Sequence, residues 1–160
     1  MLKLYGKLPI LNSVRSDSYL ATVGKSTDVP KVLRNRRALL RQSSEDGTGY
    51  KAILTKQSQH HDSDVGSDVF TISSAHDYLD DGDIIRLDPA TGGFSCLFRK
   101  SSPNNTILLT EQCDHYCLMC SQPPKKVDDS WLLKEAFDLI SLIPTDTEHI
   151  GFSGGEPTLY

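Results

Sequence analysis

The sequence predicts an α/β protein in two parts: a small β-rich N-terminal domain over residues 1–103, then a strand–helix–strand unit over residues 104–160. Three observations predict it. Short apolar runs broken by polar turns fill the first hundred residues. After Ser101-Ser102-Pro103-Asn104 comes a continuous apolar strand pattern, Thr106-Ile107-Leu108-Leu109-Thr110. A helical apolar repeat then leads to a second short strand that ends in Gly154-Gly155.

In the first part, Tyr50 to Thr55 and Asp68 to Ile72 read as strands on either side of a polar loop that carries His60 and His61, two exposed histidines by this reading. Asp83 to Leu87, the turn cluster Asp88-Pro89-Ala90-Thr91-Gly92-Gly93, and Phe94 to Arg99 read as a hairpin. The whole suggests a small antiparallel β-domain. Lys31 to Arg41 interrupts it as a short amphipathic helix, with Lys31, Arg34, Arg36, Arg37 and Arg41 largely outside. That basic face is either solvated or a docking patch for an acidic peptide.

In the second part, Thr106 to Thr110 reads as a strand buried on both faces. A helix follows from about Asp129 to Ile143, with Asp128, Asp129 or Ser130 as N-cap and Pro144 as its stop. Leu132, Ala136, Leu139, Ile140 and Ile143 recur on one face, and Trp131 reads as helix packing. His149 to Ser153 is the second strand. A strand–helix–strand unit of this length makes the two strands parallel.

Hydrophobic residues at 38% and charged residues at 24% suit a globular chain with a core. No stretch approaches the ~18–20 apolar residues of a membrane span, and the N-terminus lacks the pattern of a secretory signal. Cytoplasmic residence follows as the default, with no membrane partner. The net charge of −4 is uneven: residues 1–100 hold 14 Lys/Arg and 12 Asp/Glu, whereas residues 101–160 hold 3 and 9. The acidic second part argues against a nucleic-acid partner, because phosphate binding needs clustered positive charge.

The cysteines carry the chemistry. Cys113, Cys117 and Cys120 form a C-x3-C-x2-C cluster, and Cys96 stands apart as a buried small hydrophobe. Three thiolates this close can hold a soft metal. A structural zinc site wants four protein ligands, and so does an electron-transfer [4Fe–4S] cluster. Three leave a coordination position open to a small molecule. The competing reading is a zinc site whose fourth ligand is Cys96 or His149. His115, inside the loop, reads as a neighbour of the ligands or an exposed side chain. Gly154-Gly155-Glu156-Pro157 lies 34 residues after Cys120 and, by the parallel topology, emerges beside the cysteine loop at the same end of the sheet. Paired glycines let a backbone come close to a ligand, and a carboxylate suits a cationic amino group.

C-x3-C-x2-C directly after a strand resembles the radical S-adenosylmethionine (SAM) superfamily. The resemblance implies the start of a partial (β/α)6 barrel, with Cys113, Cys117 and Cys120 each holding one iron of a [4Fe–4S] cluster. SAM would chelate the fourth iron and be cleaved reductively to a 5′-deoxyadenosyl radical. Gly154, Gly155 and Glu156 would meet the methionyl amino group. Met119 stands where many members carry an aromatic residue near the adenine, and a methionine can fill that role.

The run Leu109 to Lys125, with Asp81-Gly82-Asp83 and the Asn104-Asn105 lead-in, resembles the C-type His-Xaa-Ser system radical SAM maturases. This implies a small His-Xaa-Ser repeat precursor peptide as substrate, a partner radical SAM maturase and an electron donor. Two other readings stay open: a radical SAM enzyme acting on RNA or a small metabolite, and a non-catalytic zinc- or iron–sulfur-binding module. One βαβ unit is far short of a barrel. The sequence therefore reads as a C-terminally truncated fragment, expected to be inactive alone.

Overall fold

The computed structural model describes residues 4–42, 45–56, 64–120 and 125–159. The chain divides into two compact units, Met1–Ser101 and Ser102–Tyr160. His60 and His61 lie outside the described residues, as does the stretch 121–124 of the cysteine loop.

Eight short strands form the first unit: β1 (Tyr5–Lys7), β2 (Ile10–Asn12), β3 (Tyr19–Gly24), β4 (Arg37–Arg41), β5 (Ala52–Thr55), β6 (Asp68–Thr71), β7 (Ile84–Asp88) and β8 (Gly93–Phe98). Their order in the sheet is β1-β8-β7-β3-β4-β5-β6-β2. The hairpin β7–β8 is antiparallel as its turn cluster requires. Gly92 takes φ +74° in that turn, a backbone conformation that favours glycine. The expected antiparallel domain fails at the centre, where β3, β4, β5 and β6 run parallel. The connections between them span residues 25–36, 42–51 and 56–67, too long for tight hairpins and long enough to cross back over the sheet.

Strands β1 and β2 stand at opposite ends of that order, yet only Leu8 and Pro9 separate them. Three Cα steps reach at most ~11 Å, so the two edges meet and the sheet is rolled closed. Leu8 N–H donates to Gly92 O at 2.8 Å beside β8, and Thr71 N–H at the end of β6 donates to Pro9 O at 2.8 Å. A closed sheet has no free edge to template aggregation. Its interior is filled by Ala21, Val23, Ala38, Ala52, Leu54, Phe70, Ile85, Leu87 and Phe94, with Leu8, Ile72 and Leu79 among the same cluster. On the other face of β4–β6, Leu39, Tyr50, Ile53 and Val69 form a second cluster. Strand β5 is therefore buried on both faces.

The basic segment 31–41 departs from expectation. Only α1 (Lys31–Arg34) is helical; a turn at Asn35-Arg36 follows, and the rest is β4. Arg34 and Arg41, expected outside, are buried. Arg34 donates to the carbonyls of Val29, Thr48 and Thr27 at 2.9, 3.0 and 2.6 Å, and its guanidinium stacks over the Tyr50 ring at 5.2 Å. Arg41 makes a two-pronged pair with Asp64, with Nη1 at 3.0 Å from Oδ2 and Nη2 bonded to Oδ1. Buried Asp68 accepts from the Val14 and Arg15 amides at 2.6 and 3.1 Å, from Arg15 Nη1 at 3.1 Å and from Tyr19 Oη at 2.7 Å. Burial, reinforced by that carboxylate, pushes the Tyr19 hydroxyl well above its ordinary pKa.

The second unit is β9 (Asn105–Thr110), α2 (Ser130–Ile140) and β10 (Ile150–Gly154). Strands β9 and β10 pair parallel, Ile150 opposite Asn105 through Gly154 opposite Thr110, with a shift before Gly154. This is not the start of an α/β barrel. The described residues form a mixed eight-stranded sheet, a two-stranded sheet and two short α-helices, so the fold is mostly β. The physical reason lies in β9. Its burial alternates, with Ile107 inside and Leu108 44% exposed, so only one face is covered; the apolar run suggested two. Helix α2 buries Leu132, Ala136 and Leu139, while Trp131, Phe137 and Ile140 stay substantially exposed. Leu109, Leu133, Ala136, Phe137, Ile140 and Phe152 line an apolar gap of about 170 Å³.

Breaking one partner of a buried ion pair leaves a charge uncompensated, at a cost of ~3–5 kcal/mol. Asp64→Ala should lower the unfolding free energy by about that amount in urea titrations. The double change Arg41→Met with Asp64→Leu should recover most of it; equal losses in both variants would contradict the assignment.

Candidate functional site

The cysteine loop leaves β9 at Glu111 and is held at its neck by three segments. The first is the start of α2. Asp129 caps that helix with its backbone, but its carboxylate makes no capping bond and turns to the end of β9. There it accepts from Thr110 Oγ1 at 3.0 and 3.2 Å, from the Glu111 amide, and from Gln112 Nε2 at 3.0 Å. The capping duty falls to Asp128, which accepts from the Ser130 amide at 3.2 Å and its hydroxyl at 2.8 Å. Thr110 Oγ1 in turn accepts from the Gln112 amide at 2.9 Å.

The far end of the loop is the second segment. Lys125 bridges to Gln112 in strand fashion, and its Nζ lies 2.6 Å from Glu111 Oε1. Both side chains of that ion pair are about two-fifths exposed, so it is worth ~0–1 kcal/mol.

The third segment is the turn after β10. Gly155 N–H donates to Thr110 O at 3.0 Å and Glu156 N–H to Gln112 O at 2.9 Å. A Cβ on Gly154 would lie 2.4 Å from Thr110 O; one on Gly155 would lie 2.2 Å from Gln112 O and 2.9 Å from Cys113 Cβ. The paired glycines are thus required by the chain itself. The side on which each Cβ would stand faces the backbone leading into Cys113.

The three cysteines differ. Cys113 sits half-buried at the neck, its sulfur accepting from the His115 amide at 3.4 Å. Cys117 and Cys120 are exposed thiols at either end of a turn closed by Cys120 N–H donating to Cys117 O at 3.1 Å. Tyr116, Leu118 and Met119 at the tip stand in solvent, with Met119 95% exposed, so nothing in the second unit packs on it. Among the described residues, the donor atoms that gather within 4.8 Å of one another belong to Cys113, Asp114 and His115. The three sulfurs do not form such a group. A cubane holds its thiolates on separate irons, so single-ion spacing is not what it requires.

His115 Nδ1 lies 2.7 Å from Asp114 Oδ1 and 3.7 Å from Glu156 Oε2, placing the imidazole between the cysteine loop and the turn. Glu156 Oε1 accepts from the Thr158 hydroxyl and amide, at 2.5 and 3.0 Å, and these bonds hold the carboxyl below its usual range. Cys96 belongs to the first unit, where burial pushes its thiol up to about 12. His149 is exposed.

The residue that sequence reasoning missed is Asp129. A pair of adjacent aspartates before a helix was the available signal: one suffices as a cap, so the other has a different acceptor role. No helix among the described residues is long and apolar enough to cross a membrane. Compared with protein-family models, curated proteins and solved structures, the chain finds no match.

Removing the Asp129 carboxylate strands buried donors at ~1–3 kcal/mol each. Asp129→Ala should therefore speed hydrogen exchange at Glu111 and Gln112 by about tenfold or more. Gly155→Ala, which sets a methyl against backbone, should cost ~1–3 kcal/mol in urea unfolding. Gly151→Ala, whose nearest new contact is the Thr106 hydroxyl at 3.2 Å, should cost clearly less. Equal effects for the two alanines would contradict the packing described.

Proposed function

We propose that the second unit is a radical-SAM-type site in which Cys113, Cys117 and Cys120 hold a [4Fe–4S] cluster. The observation that carries this reading is the clasp between the cysteine loop and the Gly154-Gly155-Glu156 turn, whose amides bond to Thr110 and Gln112 at 3.0 and 2.9 Å. It joins the two motifs that the resemblance assigns to cluster and SAM.

The donor chemistry fits. Three thiols on one short loop supply soft ligands for three irons and leave the fourth to a small chelating molecule. Such a cluster, with SAM on its open iron, supplies reductive cleavage of the sulfonium. The chain's own residues bind and orient. Cys113 is fixed by the neck, whereas Cys117 and Cys120 sit on an exposed turn that can adjust around a metal. Glu156 keeps Oε2 towards the loop while Oε1 is occupied by Thr158, so one carboxylate oxygen is available to a cationic amino group. Met119, out in solvent, is an apolar surface for an adenine. On the same resemblance, the substrate is a small His-Xaa-Ser repeat peptide, served by a partner maturase and an electron donor in the cytoplasm.

A second reading has its own observation. Cys113, Asp114 and His115 gather their donor atoms as a single borderline-soft ion would want them. This favours a non-catalytic zinc module.

Metal analysis after anaerobic reconstitution separates the two. The first expects about four irons and four sulfides per chain, an EPR signal that shifts on adding SAM, and loss of both in Cys117→Ala. Stoichiometric zinc, retained in Cys117→Ala and lost in His115→Ala, would leave the second reading standing.

A further inference from the structure

We propose that Cys117 and Cys120 are a thiol pair built to close a disulfide across one β-turn, and that this bond shuts the loop to metal. The disulfide does not depend on the proposed function; its effect on iron loading rests on that reading.

The turn supplies the geometry. Cys120 N–H donates to Cys117 O at 3.1 Å across Leu118-Met119, the bond that defines a four-residue turn. Such a turn holds its end Cα atoms within about 7 Å. Disulfides need Cα separations of roughly 4.4–6.8 Å, so the bond asks only for side-chain rotation and a small tightening. Both thiols are exposed, and Leu118 and Met119 between them stand in solvent. Cys113 lies outside the turn, held at the neck with its Cβ against Gly155 and its sulfur on the His115 amide. Cys96 is half-buried in the first unit, and desolvation raises the pKa of its thiol, which makes it a poor nucleophile.

The oxidant is a small disulfide such as oxidised glutathione. One loop thiolate attacks it, forms a mixed disulfide and releases one glutathione thiolate. The second loop thiolate attacks the sulfur now on the loop, forms the Cys117–Cys120 bond and releases the other glutathione. The two cysteines lose two electrons and two protons, and one glutathione disulfide becomes two thiols. With two of three sulfurs joined, Cys113 alone cannot hold a cluster, and reduction by a dithiol reopens the loop.

The test uses the metal-free full chain, treated anaerobically with oxidised glutathione, alkylated and mapped by mass spectrometry. The expected product has lost two hydrogens. Its segments stay linked after cleavage at Leu118 or Met119, with Cys113 and Cys96 alkylated. Cys113→Ser should keep this bond, and Cys120→Ser should stop at a glutathione adduct on Cys117. A bond involving Cys113, or glutathione adducts with no internal bond in the unaltered chain, would overturn the proposal. The oxidised chain should then lose most of its iron uptake on reconstitution and regain it after dithiothreitol. Undiminished uptake would overturn the exclusion of metal. A chain that takes up no iron in either state, yet forms the mapped bond, would instead count against the cluster reading and leave the disulfide standing.

Discussion

The backbone from Thr110 to Gln112 is the point on which the second unit depends. Three segments distant in sequence meet there: Asp129 at the head of α2, Lys125 at the end of the cysteine loop, and Gly155-Glu156 after β10. Their contributions differ in kind. The Asp129 bonds are charge-assisted and withdrawn from water, worth ~1.5–3 kcal/mol each. The Lys125–Glu111 pair faces solvent and adds little. The glycine contact is steric, since any side chain at 155 would strike the Gln112 carbonyl.

The clasp matters because the surrounding core is thin. In the second unit only Ile107, Leu132, Ala136 and Leu139 are buried apolar side chains among the described residues, and an apolar gap opens between α2 and the strands. Hydrogen bonds at the neck, rather than packing, set where the loop begins. Beyond the neck, Cys117 and Cys120 are exposed thiols at the ends of one turn. Metal binding to such a segment is coupled to its ordering.

The first unit is organised on the opposite principle. A two-residue link at Leu8-Pro9 joins the outermost strands, which closes the sheet around a continuous apolar interior. Its buried charged residues are paired, although Arg41 Nε is left without a hydrogen-bond partner among the described residues. Arg34 uses three carbonyls, Asp68 four donors, and Arg41 and Asp64 each other. Such pairs are weak sources of net stability, but removing one member is costly. They therefore tie the crossovers between parallel strands to particular positions.

What the sequence determined by itself is local. The turn at Asp88 to Gly93, the strands around it, the helix at 130–140 and the spacing of the three cysteines follow from side-chain pattern within a few residues. The expectation that Arg34 and Arg41 face solvent failed, because charge alone does not reveal distant carbonyls or Asp64. The expectation of a barrel failed because an apolar run at β9 cannot say whether one face or two will be covered. Strand direction in β3–β6, closure through Leu8-Pro9 and the placement of Asp129 on Thr110 were decided by the tertiary structure. Each depends on partners 14 or more residues away, and periodicity carries no information about which partner a backbone edge or a buried charge will meet.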